Sequence, residues 1–296
     1  METIHKPVLL KEVIDSLELK KGLVVFDGNL GGGGYSEKIC EEIGEEGTLI
    51  GVDLDSDAVK RSSERLLDKK CRKNFYKENF ANIDKVLSRI GIDKVDRIVL
   101  DLGFSSDQLE FSNRGFSFLK EDEELDLRYD FNEGKVTAKE IVNNWQQDDL
   151  ERIFLEYGEE RRSKEIAKAI VLKRKSQKID KVGELVEIVR EVKKHKGRIN
   201  PATKIFRALR IAVNDELENL KIILNKTPNV IKEDGIIAVA TFHSLEDRIV
   251  KNIFKEWERN GIGVRVNKKV IKPSYEEIKN NRRARSAKLR VFKFNY

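Results

Sequence analysis

Over its first hundred or so residues the chain alternates short apolar runs with amphipathic stretches. Residues 23–26, 48–52 and 97–100 have the length and branched apolar content of buried strands, and 73–76 is a weaker one. The second of these ends on Asp53 and the last on Asp101. Between them, 35–43 and 56–67 repeat apolar residues at helical spacing, with Asp55 placed to cap the second helix. Strands alternating with helices predict βαβ units and a parallel sheet.

From about residue 106 to 200 the pattern changes: no stretch reads as a buried strand. Residues 138–145, 148–157, 161–175 and 182–194 read as helices. A long helix is expected from 201 to about 225, with Asn200 as cap and Pro201 at its first position. Strand character returns at 236–241. Ser244-Leu245-Glu246-Asp247 then opens a helix in the manner of a capping box, and 264–266 and 289–294 supply two last strands. The fold class expected is therefore α/β: one open sheet interrupted after its fourth strand by a helical insertion. The domain boundaries expected are 1–105 with 206–296 for the sheet and 106–205 for the insertion.

Composition narrows the function classes. Apolar residues make up 39% of the 296, enough for a packed core. Lys and Arg number 58 against 52 acids, a net charge of +6 that says little until its distribution is considered. Cys40 and Cys71 form no C-x-x-C pair, so neither a disulfide framework nor a cysteine-rich zinc site is expected, and a reducing cytosol fits. The first residues hold no signal-peptide core and no span long enough for a bilayer. A soluble cytoplasmic protein, not associated with membrane, is expected.

The first strand runs into Asp27-Gly28-Asn29-Leu30-Gly31-Gly32-Gly33-Gly34. Ligands of open α/β sheets bind beyond the carboxyl ends of strands. Gly31, Gly33 and Gly34 let the backbone approach such a ligand closely, and the next helix points free N–H groups at it. Asp53, at the end of the second strand, suits the two hydroxyls of an adenosine ribose. A nicotinamide dinucleotide would use the same geometry, but the G-x-G-x-x-G register fails, because the sixth residue from Gly31 is Ser36. Asp27 would repel a pyrophosphate yet could bind the ammonium of a methionine moiety. The cofactor expected is S-adenosylmethionine. Phe80 follows the third strand, where its ring either faces an adenine or joins the core.

Asp101-Leu102-Gly103-Phe104-Ser105-Ser106-Asp107-Gln108 stands at the end of the fourth strand. Asp101-Leu102-Gly103-Phe104 loosely resembles the Asp/Asn/Ser-Pro-Pro-aromatic segment of enzymes that methylate base amino groups. An exocyclic amine delocalises its lone pair into the ring. An acceptor for its proton helps localise that pair for attack, and Asp101, Ser105 and Ser106 are the candidate catalytic acceptors. Methylation at pyrimidine carbon five would need a thiolate, and neither cysteine lies near this segment.

Phe111-Ser112-Asn113-Arg114-Gly115-Phe116-Ser117-Phe118 interleaves aromatics with Arg. Arg114 and Phe116 could pair with phosphate and stack on a base, or pack a loop onto the core. Residues 190–210 hold eight Lys or Arg and one acid, and 268–290 hold nine against two, Arg285 among them. Two such runs tilt the reading towards a nucleic-acid partner. His243, with Ser244 beside it, follows the strand at 236–241; it holds base or phosphate, or is a hydrogen-bonded structural residue. The three histidines show no metal-ligand spacing, and no metal is expected.

Taken in order, His5-Lys6-Pro7-Val8-Leu9-Leu10, the glycine loop, Asp101–Ser106, Arg114-Gly115-Phe116-Ser117-Phe118, Pro201-Ala202-Thr203, Ala208-Leu209-Arg210-Ile211, Phe242-His243-Ser244-Leu245-Glu246-Asp247-Arg248 and Arg283-Ala284-Arg285-Ser286 resemble the MraW (RsmH) family of bacterial small-subunit ribosomal RNA cytosine-N4 methyltransferases. The resemblance implies a class I, Rossmann-like S-adenosylmethionine methyltransferase sheet whose helical insertion helps recognise the substrate. It implies methylation of a decoding-region cytosine of 16S ribosomal RNA in the small ribosomal subunit, by a monomer or homodimer. Carried over by position, the cofactor contacts would be Gly33, Gly34, Tyr35, Asp53, Phe80, Asp101 and Gln108. The chain departs from the family's usual pattern at Asn29, Tyr35, Asp107, Asn200 and Arg207. Two other readings stay open: a ribosome-assembly protein that binds RNA without catalysis, and an amino methyltransferase acting on DNA.

Overall fold

A computed structural model describes residues 7–103, 105–130, 134–194 and 200–295. The motif positions His5, Lys6 and Phe104, and His195, Lys196 and Arg198 of the first basic run, lie outside the described residues. The chain forms two compact units, Met1–Ser105 with Leu217–Tyr296, and Ser106–Glu216.

The first unit opens with α1 (Leu10–Ser16), β1 (Val24–Asp27), α2 (Gly34–Ile43), β2 (Thr48–Asp53), α3 (Ser56–Arg65), β3 (Arg72–Lys77), α4 (Ile83–Arg89) and β4 (Val95–Asp101). The second unit follows with α5 (Ser106–Phe111), α6 (Ala138–Asn144), α7 (Gln147–Glu156), α8 (Ser163–Arg174), α9 (Val182–Lys193) and α10 (Thr203–Asn214). The chain then returns through α11 (Glu216–Val230), β5 (Ile231–Thr241), α12 (Ser244–Arg259), β6 (Gly263–Arg265), α13 (Tyr275–Asn280) and β7 (Lys288–Phe294).

Seven strands make one sheet in the order β3-β2-β1-β4-β5-β7-β6. The first five pair in parallel, and β7 runs antiparallel to both β5 and β6. This is the class I methyltransferase sheet that the resemblance implies. Side chains alternate between its faces with the period of two that a strand imposes. Phe26, Ile50, Ile98, Ile237 and Phe292 join one buried layer with α4, α11 and α12. Val25, Leu49, Val99, Ala238 and Val291 join the other with α1 and α2. Burial on both faces is why these strands read as nearly continuous apolar runs.

Three local expectations are corrected. The single helix from 201 to 225 is two helices, because Asp215 takes a left-handed conformation (φ 51°) that ends α10. Asn200 does cap, its Oδ1 accepting from the Ala202 N–H at 2.9 Å. The cap of α12 is His243, one residue before the expected Ser244. Its partner is Glu246, whose Oε2 accepts from the N–H groups of Phe242 (2.8 Å) and His243 (3.2 Å). Finally, Cys40 in α2 and Cys71 before β3 are joined in a disulfide, with Cα atoms 5.4 Å apart. Both are buried in the layer on which α2 packs. Tertiary proximity made the pair that spacing did not announce.

The second unit is helical, with α7 packed between α8 and α10 and with α8 also packed on α6 and α9. It ends at Glu216 rather than 205 because α10 packs on α7 and α6. Among its described residues there is no strand, only an isolated bridge from Glu124 to Lys181.

Candidate active site

Strand order reverses between β1 and β4, and such a switch point opens a crevice at the carboxyl ends of the two strands. Asp27 and Asp101 terminate these strands. The glycine loop leaves β1 here and is stitched to its neighbours: the Gly28 N–H donates to Val99 O (2.9 Å) and the Leu30 N–H to Val52 O (3.1 Å). Gly31 (φ 50°) and Gly33 (φ 75°) take left-handed conformations, and a turn closed by Gly33 N–H to Leu30 O (2.7 Å) leads into α2. Asp53 fixes this loop as well as lying beside it. Its Oδ2 accepts from the Gly31 N–H and its Oδ1 from the Asp55 N–H, each at 2.9 Å. An ionised carboxylate offers about four acceptor sites, so ribose hydroxyls can still donate to it.

The electrostatics of this edge are unusual. Asp27 is 1% exposed and accepts from Ser36 Oγ (2.6 Å) and the Asn29 N–H (3.1 Å). Burial lifts its pKa to about 7 against those two bonds, with the charge of Asp53 adding to the rise. Burial lifts Asp53 to about 6, opposed by the N–H groups of Asp55 and Gly31. Asp101 is raised well above the ordinary carboxylate range by burial and by the charges of Asp27 and Glu246. Acids crowded in this way are stabilised by a cation. S-adenosylmethionine carries a sulfonium, an ammonium and a ribose diol, and the donor set fits all three.

Phe80 and Ser105 border the loop. The backbone at Gly28 passes so close to Leu100 and Phe80 that a Cβ there would lie 2.5 Å and 3.1 Å from their side chains. A Cβ on Gly31 would sit 4.0 Å from that of Ser105, which is buried. Tyr35 behaves differently: its ring is buried in the core and its hydroxyl donates to Val8 O, so only its backbone faces the start of α2. Ser106 begins α5 in the second unit, and Gln108 is buried in the same helix.

Other expected contacts are occupied within the fold. Arg114 is 5% exposed and donates to the carbonyls of Arg128 (3.0 Å) and Tyr129 (2.7 Å). Phe116 stacks on Tyr129, their centroids 5.6 Å apart. Of the two readings left open for this pair, these contacts favour the packing one: both side chains pack within the second unit. The same holds for part of the first basic run. Lys193 pairs with Glu160 at 2.6 Å, and Arg207 donates to the carbonyls of Tyr157 and Gly158. His243 caps α12 through Nδ1, which accepts from the Glu246 N–H at 3.4 Å, while its buried Nε2 lies 3.1 Å from Glu246 Oε1 without a hydrogen bond among the described residues. Ser244 is the first residue of that helix, and Arg285 is exposed. The sequence placed Glu246 in a helix cap but not in the site, where its charge bears on Asp101. The signal was its position three residues after His243.

The sequence model of the MraW methylase family matches residues 2–295. The chain belongs to this family. It is 48% identical to the ribosomal RNA small subunit methyltransferase H of Dictyoglomus thermophilum over 293 residues, 98% of this chain and 97% of that one. It is 43% identical to the protein of the same name from Coprothermobacter proteolyticus, over 98% and 95% of the two chains. Among solved structures it is similar to an S-adenosylmethionine-dependent O-methyltransferase from Thermotoga maritima, at 9% identity and a TM-score of 0.46, covering all of this chain and 68% of that one. As a member of the MraW methylase family the chain is an S-adenosylmethionine-dependent methyltransferase.

Proposed function

We propose that this methyltransferase modifies the exocyclic N4 amine of a cytosine in the decoding region of 16S ribosomal RNA, presented in the small ribosomal subunit. The observation that carries this is the near full-length identity to relatives named for small-subunit ribosomal RNA. Asp53 is assigned the ribose hydroxyls, the Gly31–Gly34 backbone and Tyr35 N–H the methionine end, and Asp27 the ammonium. Phe80 is assigned to the adenine, and Gln108 is carried over from the family pattern. When bound, the cofactor supplies a methyl group on a cationic sulfur. A carboxylate raised in pKa is a better base, so an Asp101 oxygen is suited to accept the N4 proton as the nitrogen gains its methyl. Ser105 and Ser106 are assigned to hold the amine in line. The thiols that carbon-five chemistry would need are bonded to each other in the core. The helical unit is assigned to substrate recognition, and Arg285 to a phosphate.

The test is incubation of the protein with labelled cofactor and small subunits lacking the mark, followed by mapping of the labelled base. Label on cytosine N4 is expected. Label on a carbon, label preferring duplex DNA, or none would refute the assignment.

A further inference from the structure

Outside the crevice, the second basic run holds a feature that neither packing nor the chemistry above uses. Tyr275 is 85% exposed, the most exposed large apolar side chain among the described residues. The helix it begins does not need it, because Ser274 provides the cap by accepting from the Glu277 N–H at 3.1 Å. After Glu276 and Glu277, cations follow it in sequence: Lys279 on α13, then Arg282, Arg283 and Arg285 on a short 3-10 helix (Arg282–Ser286).

The cations that follow on β7 are paired. Lys288 and Arg290 both bind Asp247, at 3.0 and 2.7 Å. Lys279, Arg282 and Arg285 are exposed and form no ion pair among the described residues.

The segment is nevertheless firmly fastened. Ile271 bridges to Leu289, Pro273 is buried, and Glu277 Oε1 accepts from the Leu9 N–H at 2.7 Å. Ala284 and Ala287 sit in the core. The small buried residues hold the backbone down, while the aromatic ring and the cations point outward. Such a surface binds without first having to order itself. Its place is also telling. β7 begins at Lys288 opposite Thr241, and Asp101 lies opposite Ala240, so the segment enters the sheet at the carboxyl edge that carries the crevice.

We propose that residues 272–285 form a platform for single-stranded RNA, on which Tyr275 stacks on an unpaired base and Lys279, Arg282, Arg283 and Arg285 take the flanking phosphates. This rests on the RNA substrate proposed above. Aromatic stacking amid cations is how proteins hold unpaired strands without reading their sequence.

The experiment measures binding of a fluorescein-labelled single-stranded RNA oligonucleotide, and of small subunits lacking the mark, across salt concentrations. Tyr275→Ala should weaken binding roughly five- to 150-fold with the salt slope unchanged, and Tyr275→Phe should restore it. Replacing Arg282, Arg283 and Arg285 together by Gln should flatten the slope of log affinity against log salt by about 2, at ~0.7 per phosphate. Cofactor affinity and melting temperature should stay at wild-type values in all of these. Wild-type RNA affinity and slope in the variants would overturn the platform, even if the enzyme methylates 16S RNA. So would a loss confined to a ribosomal protein partner. If the wild type labels no 16S RNA while the variants still lose RNA affinity, the platform stands and the proposed substrate falls.

Discussion

Cofactor affinity should depend steeply on pH, and the structure gives the form of the curve. Asp27 and Asp53 titrate near 7 and 6 because burial disfavours their charged forms. A cationic cofactor needs both ionised. Between pH 7 and 6 each unit of acidification should therefore weaken binding about tenfold, and below 6 about a hundredfold. From pH 8 to 5.5 the ionised fractions multiply to a loss of about a hundredfold, or about 2.8 kcal/mol. Calorimetry across this range, in buffers of different ionisation enthalpy, yields both the dissociation constant and the protons released. Asp53→Asn should leave only the limb that breaks at 7, and Asp27→Asn only the limb that breaks at 6. The free enzyme should show the opposite trend. Both pKa values lie above the ordinary 3.8, so their contribution to stability is full below about pH 4 and is lost as pH rises through 6 and 7. A dissociation constant flat from pH 5.5 to 8 would refute the reasoning, as would proton release on binding that does not grow as the pH falls.

Cys40→Ser should lower stability by about 3.7 kcal/mol, the chain-entropy value for closing a loop of 31 residues, and a reductant should do the same to the wild type; denaturant titration with and without dithiothreitol measures both. Asp247→Asn should cost about 3 kcal/mol in the same assay, since it leaves the largely buried Arg290 without its carboxylate. Burial works against Asp247, but Arg290 and Lys288 hold its pKa below the ordinary value, so its stabilisation is present above about pH 3.8 and lost as pH falls further. Gly34→Ala should cost about 1–3 kcal/mol in thermal melts, because the new methyl would collide with the Pro7 ring, which cannot swing aside.

Five of the strands were readable as apolar runs, because a sheet covered on both faces leaves no ambiguity about which side is buried, whereas the edge strands β3 and β6 are polar or short and gave a weaker signal. The acids closing β1, β2 and β4 were readable for the same reason: they stand where those runs stop. What was hidden depended on partners distant in sequence. The break at Asp215 lies inside an unbroken amphipathic pattern, and only Asn214-Asp215, two residues tolerant of left-handed backbone, hinted at it. Arg114 and Phe116 look like an RNA contact until the carbonyls of Arg128 and Tyr129 and the Tyr129 ring are seen to occupy them. Tyr275 escaped notice because one aromatic in a polar run has no period; exposure alone distinguishes it.

Tyr35 shows how a departure from the family pattern can be absorbed. The resembling family usually has His there, directly after the glycines. Here the tyrosine ring is 4% exposed and its hydroxyl donates to Val8 O, so the side chain has become core. Residues 7–9 thereby gain a structural task. Pro7 lies against Gly34, Val8 receives the Tyr35 hydroxyl, and the Leu9 N–H donates to Glu277 on α13. Three consecutive residues thus fasten the start of α2 on one side and the base of the proposed RNA platform on the other. The backbone N–H of position 35 keeps its place at the helix start whichever side chain is present. Substitution at this position therefore bears first on how α2 and α13 are held, and only through that on the cofactor.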